Sequence, residues 1–114
     1  ADIVAFERPR AATTGHRVLV QRVVAVGGQI VRLDADGRVV VDGDPLAEPY
    51  LPRGTRTTAT CDDRPEVIRV PVGSVYVLGD DRADAYDSRC FGAVPRERLV
   101  GTVVGGALGP GRGP

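Results

Sequence analysis

The sequence predicts an all-β domain, and three observations carry that reading. Valine arrives in short bursts, among them Val18-Leu19-Val20, Val23-Val24, Val39-Val40-Val41, Val75-Tyr76-Val77-Leu78 and Val103-Val104. β-Branched residues suit a pleated, half-buried surface. Turn signals separate the bursts: Gly27-Gly28, Asp36-Gly37, Asp42-Gly43, Pro52-Arg53-Gly54, Val72-Gly73 and Gly79-Asp80. Only Pro95-Arg96-Glu97-Arg98 reads as helical, a single turn with proline at its first position.

In chain order, the clearest local unit runs from Gln29 to Leu46. Ile30, Arg32 and Leu33 lead into Asp34-Ala35-Asp36-Gly37, and Arg38-Val39-Val40-Val41 follows. An Asp-Gly turn between apolar runs predicts a hairpin. Asp42-Gly43-Asp44-Pro45 turns the chain again. From Pro52 to Pro65 the chain is rich in Thr, Arg and Asp with little periodicity, which predicts a long surface loop. Residues 105–114 are mostly Gly and Pro and are expected to form a flexible tail after a domain spanning 1–104.

Composition removes several functions. The chain has 114 residues, one domain's worth, and its 15 basic and 15 acidic residues cancel. A nucleic-acid binder that neutralises phosphates normally carries a basic excess. No stretch approaches the roughly 18 apolar residues of a membrane span. All fifteen basic residues are Arg, with one His, two Cys and two Ser. A lysine base, a histidine pair or, without carboxylate help, a four-ligand Cys/His zinc site cannot be assembled from that inventory. Gly27-Gly28 lacks the partners of a phosphate loop. The carboxylates between Asp80 and Asp87 lack the terminal Glu and central Gly of a calcium loop. No cofactor or metal is expected.

Three segments in order resemble type I signal peptidases. Ala1-Asp2-Ile3-Val4-Ala5-Phe6-Glu7-Arg8-Pro9 resembles that family's Gly-Asp-Ile-Val-Val-Phe strand. Val20-Gln21-Arg22-Val23-Val24-Ala25-Val26-Gly27-Gly28-Gln29 resembles its Lys-Arg-Val-Ile-Gly-x-Pro-Gly-Asp box. The segment from Gly79-Asp80-Asp81-Arg82 to Asp87-Ser88-Arg89-Cys90-Phe91-Gly92 resembles its Gly-Asp-Asn-Arg-x-x-Ser-x-Asp-Ser-Arg-x-Phe-Gly box. Between them, Val41-Asp42-Gly43 and Glu48-Pro49-Tyr50 look like its Ile-Asn-Gly and Glu-Pro-Tyr segments. The resemblance implies coiled, mostly antiparallel sheets shared with self-cleaving SOS repressors. It also implies a membrane-anchored serine endopeptidase on the outer face of the cytoplasmic membrane, acting on the signal peptides of secreted preproteins after Ala-x-Ala. The mechanism it implies is a Ser-Lys dyad, in which a neutral lysine takes the serine proton.

The chain departs from that pattern where the chemistry lies. The Ser-Met-x-Pro nucleophile segment precedes the strand at which this chain starts, so the resemblance implies a fragment of a longer parent. The general-base lysine falls on Gln21, whose amide accepts hydrogen bonds and is not a base. The family's lysine-partner serine falls on Ala85, and its Asn on Asp81. Asp80 and Arg89 carry over as an ion pair beside the site, with Ser88 in the same box. A signal peptidase-like domain inactive in this form is therefore expected, the alternative being a non-catalytic peptide-binding scaffold.

Four expectations complete the reading. Ile3, Val4, Ala5 and Phe6 with Val18, Leu19 and Val20 border the implied peptide groove, unless they are plain core or edge strands. A domain opening on that first strand predicts an exposed edge there and self-association through it. Cys61 and Cys90 are compatible with a bridge, with two free thiols, or with a metal pair completed by Asp62 and Asp63. The oxidising compartment that the resemblance implies favours the bridge. A triad of Ser88 with His16 is the weakest alternative, since His16 reads as an exposed loop residue.

Overall fold

The valine bursts become strands where the turn signals bound them. A computed structural model describes residues 2–8, 18–61, 65–104 and 107–109. Among these the strands are β1 (Ile3–Glu7), β2 (Val18–Val26), β3 (Ile30–Leu33), β4 (Val39–Val41), β5 (Asp44–Pro45), β6 (Val67–Arg69), β7 (Ser74–Leu78), β8 (Val94–Pro95), β9 (Leu99–Val104) and β10 (Ala107–Gly109). They form a six-stranded sheet, β10-β9-β1-β2-β7-β8, and a four-stranded sheet, β5-β4-β3-β6. Every pairing is antiparallel.

Two apolar clusters lie on opposite faces of β7. Tyr76 and Leu78 join Val24, Val31, Val39 and Val70 between the two sheets. Val75 and Val77 point the other way, onto Val4, Phe6, Val23 and Val94. Alternating side chains along one strand thus feed both clusters. Valine dominates each, as the scarcity of aromatics requires.

β2 joins the two halves of the large sheet. Its first residues pair with β1, from Glu7↔Val18 to Ile3↔Arg22. Its last residues pair with β7, from Arg22↔Leu78 to Val26↔Val75, across a bulge between Val23 and Ala25. The Val23 N–H donates to the Asp2 carbonyl at 2.8 Å. Antiparallel alternation then turns the backbone groups of Leu19 and Gln21 toward β1 and those of Val18 and Val20 away from it. No strand among the described residues pairs with that outer side of Val18 and Val20.

Four sequence expectations change. β1 is an inner strand, because β9 returns antiparallel along its second side. The exposed edge expected at Ile3–Phe6 is therefore filled from within the same chain. The predicted proline-led turn is a 3₁₀ turn at Arg96–Arg98, with Pro95 just before it in β8. A helical turn that the sequence reading missed, α1 (Ser88–Phe91), follows Asp87. Its signals were present: Asp87 caps it by accepting from Arg89 N, and Gly92 closes it at φ 84°. Finally, Ala107–Gly109 pairs with β9 inside the segment read as a flexible tail; residues 105–106 and 110–114 lie outside the described residues.

The predicted Asp-Gly hairpin is in place between β3 and β4. Asp34 Oδ1 accepts from the N–H groups of Asp36 and Arg38, each at 2.9 Å. Gly37 sits at φ 80°, and a Cβ there would stand 2.8 Å from the Arg56 Cβ. Gly43 has a similar φ of 86° with nothing within 4 Å. Gly37→Ala is expected to cost about 2–3 kcal/mol and Gly43→Ala about 1 kcal/mol, read as the difference in urea midpoints. Equal losses would remove the Arg56 contact as the cause.

Candidate functional site

The site is built where β7 ends. Past Leu78 the chain leaves β2, because Asp87 draws it aside. Asp87 is fully buried, and its Oδ2 accepts from Gly79 N at 3.0 Å and Arg89 Nη2 at 2.7 Å. Its Oδ1 accepts from Arg89 N and Nε, at 3.0 and 2.9 Å. The guanidinium then reaches on, donating from Nη1 to the carbonyls of Arg82 and Thr58 at 2.8 and 2.9 Å. Segment 79–87 is in this way closed into a loop and fastened to the 52–61 segment.

A second buried guanidinium fastens the other side. The Arg82 side chain is wholly buried and donates to Gly79 O, to Thr57 Oγ1 and to both carboxylate oxygens of Glu48. Tyr50 donates its hydroxyl to Glu48 Oε2 at 2.9 Å. The Tyr50 ring carries the Arg22 guanidinium 3.7 Å from its centre. Arg22 in turn makes a two-pronged bond to Asp80, both distances 2.9 Å. Fork-to-fork pairing of this kind fixes orientation as well as charge.

The ion pairs therefore differ from the sequence expectation. Asp80 pairs with Arg22 on β2, and Arg89 pairs with Asp87 two residues before it. The physical reason is the helical turn: capping of α1 brings the Asp87 carboxylate back onto Arg89 and leaves Asp80 facing β2. The hydrogen bonds from Arg22 hold the Asp80 carboxyl below the usual carboxylate range. That contribution is fully present above about pH 4 and is lost as pH falls through the lowered value.

At the centre stands Gln21. Its side chain is nine-tenths buried, and its Nε2 donates to the Tyr86 carbonyl at 2.8 Å. Its Oε1 is buried with no partner. Gly79 and Ala85 close in beside it: a Cβ on Gly79 would fall 2.4 Å from the Ala85 Cβ and 3.6 Å from Gln21 Nε2. Gly79 thus lies against both Gln21 and Ala85. A methyl group at 85 offers no hydrogen bond to the glutamine.

The remaining candidates separate. Ser88 is buried, and its hydroxyl accepts from Val77 N at 2.9 Å, which ties it to β7 as a structural group. His16, its suggested partner, lies outside the described residues, as do Asp62 and Asp63. Cys61 and Cys90 are joined in a disulfide with Cα atoms 5.2 Å apart, so neither is a free thiol or a metal ligand. The bridge closes a 29-residue separation, worth about 3–4 kcal/mol in chain-entropy terms. Val4, Ala5 and Phe6 are buried in the core with strands on both sides, which removes them from a groove surface. Ile3 is half-buried and Leu19 packs on the Val4–Phe6 cluster. Val18 and Val20 are exposed, at 46% and 57%. A hollow of about 410 Å³ lined by Leu33, Thr58, Ile68 and Tyr76 touches Arg89 but none of Gln21, Gly79 and Ala85; it belongs to the scaffold.

Glu48, Tyr50, Thr57 and Arg82 were not singled out from the sequence as site residues. The signal was there in part, since Glu48-Pro49-Tyr50 and Arg82 fall inside segments that resemble the family. What hid them is distance: Arg82 and Glu48 are 34 residues apart.

Comparison with known proteins gives the family. The sequence model of the family described as signal peptidase, peptidase S26, matches residues 1–105. The chain belongs to that family. It is 32% identical over 110 residues to signal peptidase I V of Bacillus subtilis, covering 90% of this chain and 62% of that protein. It is 38% identical over 107 residues to signal peptidase I of Mycobacterium tuberculosis, covering 82% of this chain and 35% of that protein. Among solved structures, a signal peptidase I from Enterococcus faecalis superposes with a TM-score of 0.69 at 27% identity, covering 90% of this chain and 93% of that one. The chain thus spans about three-fifths or less of the length of these curated signal peptidases. Among its described residues no helix is long and apolar enough to cross a membrane.

Two measurements check the buried network. Arg82→Met strands the Glu48 carboxylate and is expected to cost about 3–5 kcal/mol, most of it recovered when Glu48→Gln is added; additive losses in urea would show the two groups to be independent. Burial and the bond to Glu48 push the Tyr50 hydroxyl up to about 12. The neutral phenol therefore stabilises the fold below about pH 10, an effect lost as pH rises through 12. Ultraviolet titration near 295 nm is expected to show a tyrosine step near pH 12 that Tyr50→Phe abolishes; its survival in that variant would assign it to another tyrosine.

Proposed function

We propose that this chain is a signal-peptidase domain that engages the extended cleavage region of a signal peptide and itself supplies no catalytic base. One observation carries the reading: an amide, Gln21, occupies the buried centre of the site and is held by the Tyr86 carbonyl. An amide oxygen does not take a proton at accessible pH. The chain has no lysine to replace it, and general-base catalysis is worth roughly 10²–10⁴-fold. Ala85 in place of a hydroxyl agrees, because it removes the group that would orient a neutral lysine. The parent protein is read as anchored on the outer face of the cytoplasmic membrane, where preproteins present their signal peptides.

Peptide binding has its own support. The outer side of Val18 and Val20 offers backbone groups and exposed apolar side chains to an extended segment. Strand addition of this kind draws affinity from main-chain bonds and selectivity from small pockets.

The test pairs turnover with binding. The full chain, incubated with a labelled peptide containing Ala-x-Ala, is expected to leave it intact and to bind it by fluorescence anisotropy. Val20→Pro deletes an outward N–H without touching the β1 pairing, and an unpaired strand side tolerates proline. Affinity is expected to fall about tenfold or more, with the melting temperature close to that of the parent. Cleavage that requires Gln21, or binding indifferent to Val20→Pro, would sink the proposal.

A further inference from the structure

Two buried polar atoms among the described residues have no hydrogen-bond partner, and they are of opposite sense. Gln21 Oε1 is an acceptor and Arg8 Nε is a donor. Both belong to side chains that converge on Tyr86. Gln21 donates to its carbonyl at 2.8 Å, and the Arg8 guanidinium stands 4.8 Å from the centre of its ring. Arg8 follows directly on β1, and Gln21 lies on β2 opposite Val4. Gln21 therefore lies in the half of β2 whose outer side has no strand, and Tyr86 is the residue that the Arg8 guanidinium shares with it.

Buried polar groups are ordinarily paired. Here a guanidinium N–H and an amide oxygen stay open, whereas Asp80, Asp87, Arg22 and Arg89 around the same loop are bonded. A carboxylate or phosphate would satisfy Arg8 but set a second acceptor against Gln21 Oε1. An amine would satisfy Gln21 but bring a cation toward Arg8. The peptide group matches both, because it carries one N–H and one C=O.

We infer that Gln21 and Arg8 form a main-chain clamp for an extended peptide lying on the open half of β2. Gln21 Oε1 accepts a peptide N–H, and Arg8 Nε donates to a peptide carbonyl. The inference rests on the peptide-binding reading above and deepens it. Gln21 becomes a binding residue in its own right, with Nε2 committed to Tyr86 and Oε1 to the ligand. A charged lysine could not take this role, since its ammonium has three donors and no acceptor. The clamp also predicts selectivity: proline at the clamped peptide position is rejected for want of an N–H.

The experiment is an N-methyl scan along the Ala-x-Ala peptide, read by anisotropy on the full chain and on Gln21→Met. Methylation at the clamped residue is expected to weaken binding to the parent about tenfold and to leave binding to Gln21→Met unchanged. Methylation at positions that bond only to the β2 backbone weakens both alike. Arg8→Met is expected to lose affinity by a similar factor. The methylated peptides act on the unaltered protein, so misfolding of a variant cannot imitate the effect. If peptide binds but no position couples to Gln21, the clamp is wrong and the peptide-binding reading stands. If no peptide binds at all, both fall.

Discussion

One buried carboxylate organises this molecule. Asp87 accepts four hydrogen bonds, one from the backbone of Gly79 and three from Arg89, and in doing so it ends β7. Had the strand run on in register with β2, residue 80 would have lain opposite Val20. Instead the chain swings away, α1 begins, and the outer side of β2 is left clear. The same turn aims the Arg89 guanidinium at the 52–61 segment and places Asp80 against Arg22. A charge this deep is tolerated only because every lone pair is used. Local capping of one helical turn and the opening of a strand edge are thus a single event.

Around that carboxylate the protein substitutes arginine geometry for core volume. With few aromatics and small valine clusters, the long loop after Pro52 has little apolar surface to hold it. Arg82, Arg89 and Arg56 hold it through carbonyls and through Thr57, while the disulfide closes its far end. Guanidinium suits this work better than ammonium, since its planar fork meets several fixed acceptors at once. The cost is sensitivity, because removing one partner strands another inside the fold.

The strands and the Asp-Gly hairpin were legible because each rests on local chemistry, and Gln21 and Ala85 were marked out as site positions because each falls inside a contiguous motif. Three features were not. The second partner of β1 comes from β9, nearly a hundred residues later, and no pattern near Ile3 announces it. The ion pairs were misassigned because motif order says which residues gather, and only the capped turn at Asp87 decides which carboxylate meets which guanidinium. The Glu48–Arg82 pair joins segments that the sequence treats as unrelated loops.

The bond between Gln21 and the Tyr86 carbonyl has a bearing on how reversible this site is. A carbonyl that receives an amide N–H would receive an ammonium N–H more strongly, and so would favour a charged group at 21 over a neutral one. With a methyl at 85 there is no second group to orient a neutral amine. Exchanging glutamine for lysine alone would therefore install a resident cation in place of a base. The acceptor is a main-chain carbonyl that no substitution at 86 removes, so the side chain at 85 is what decides whether an amine at 21 would be held neutral or charged.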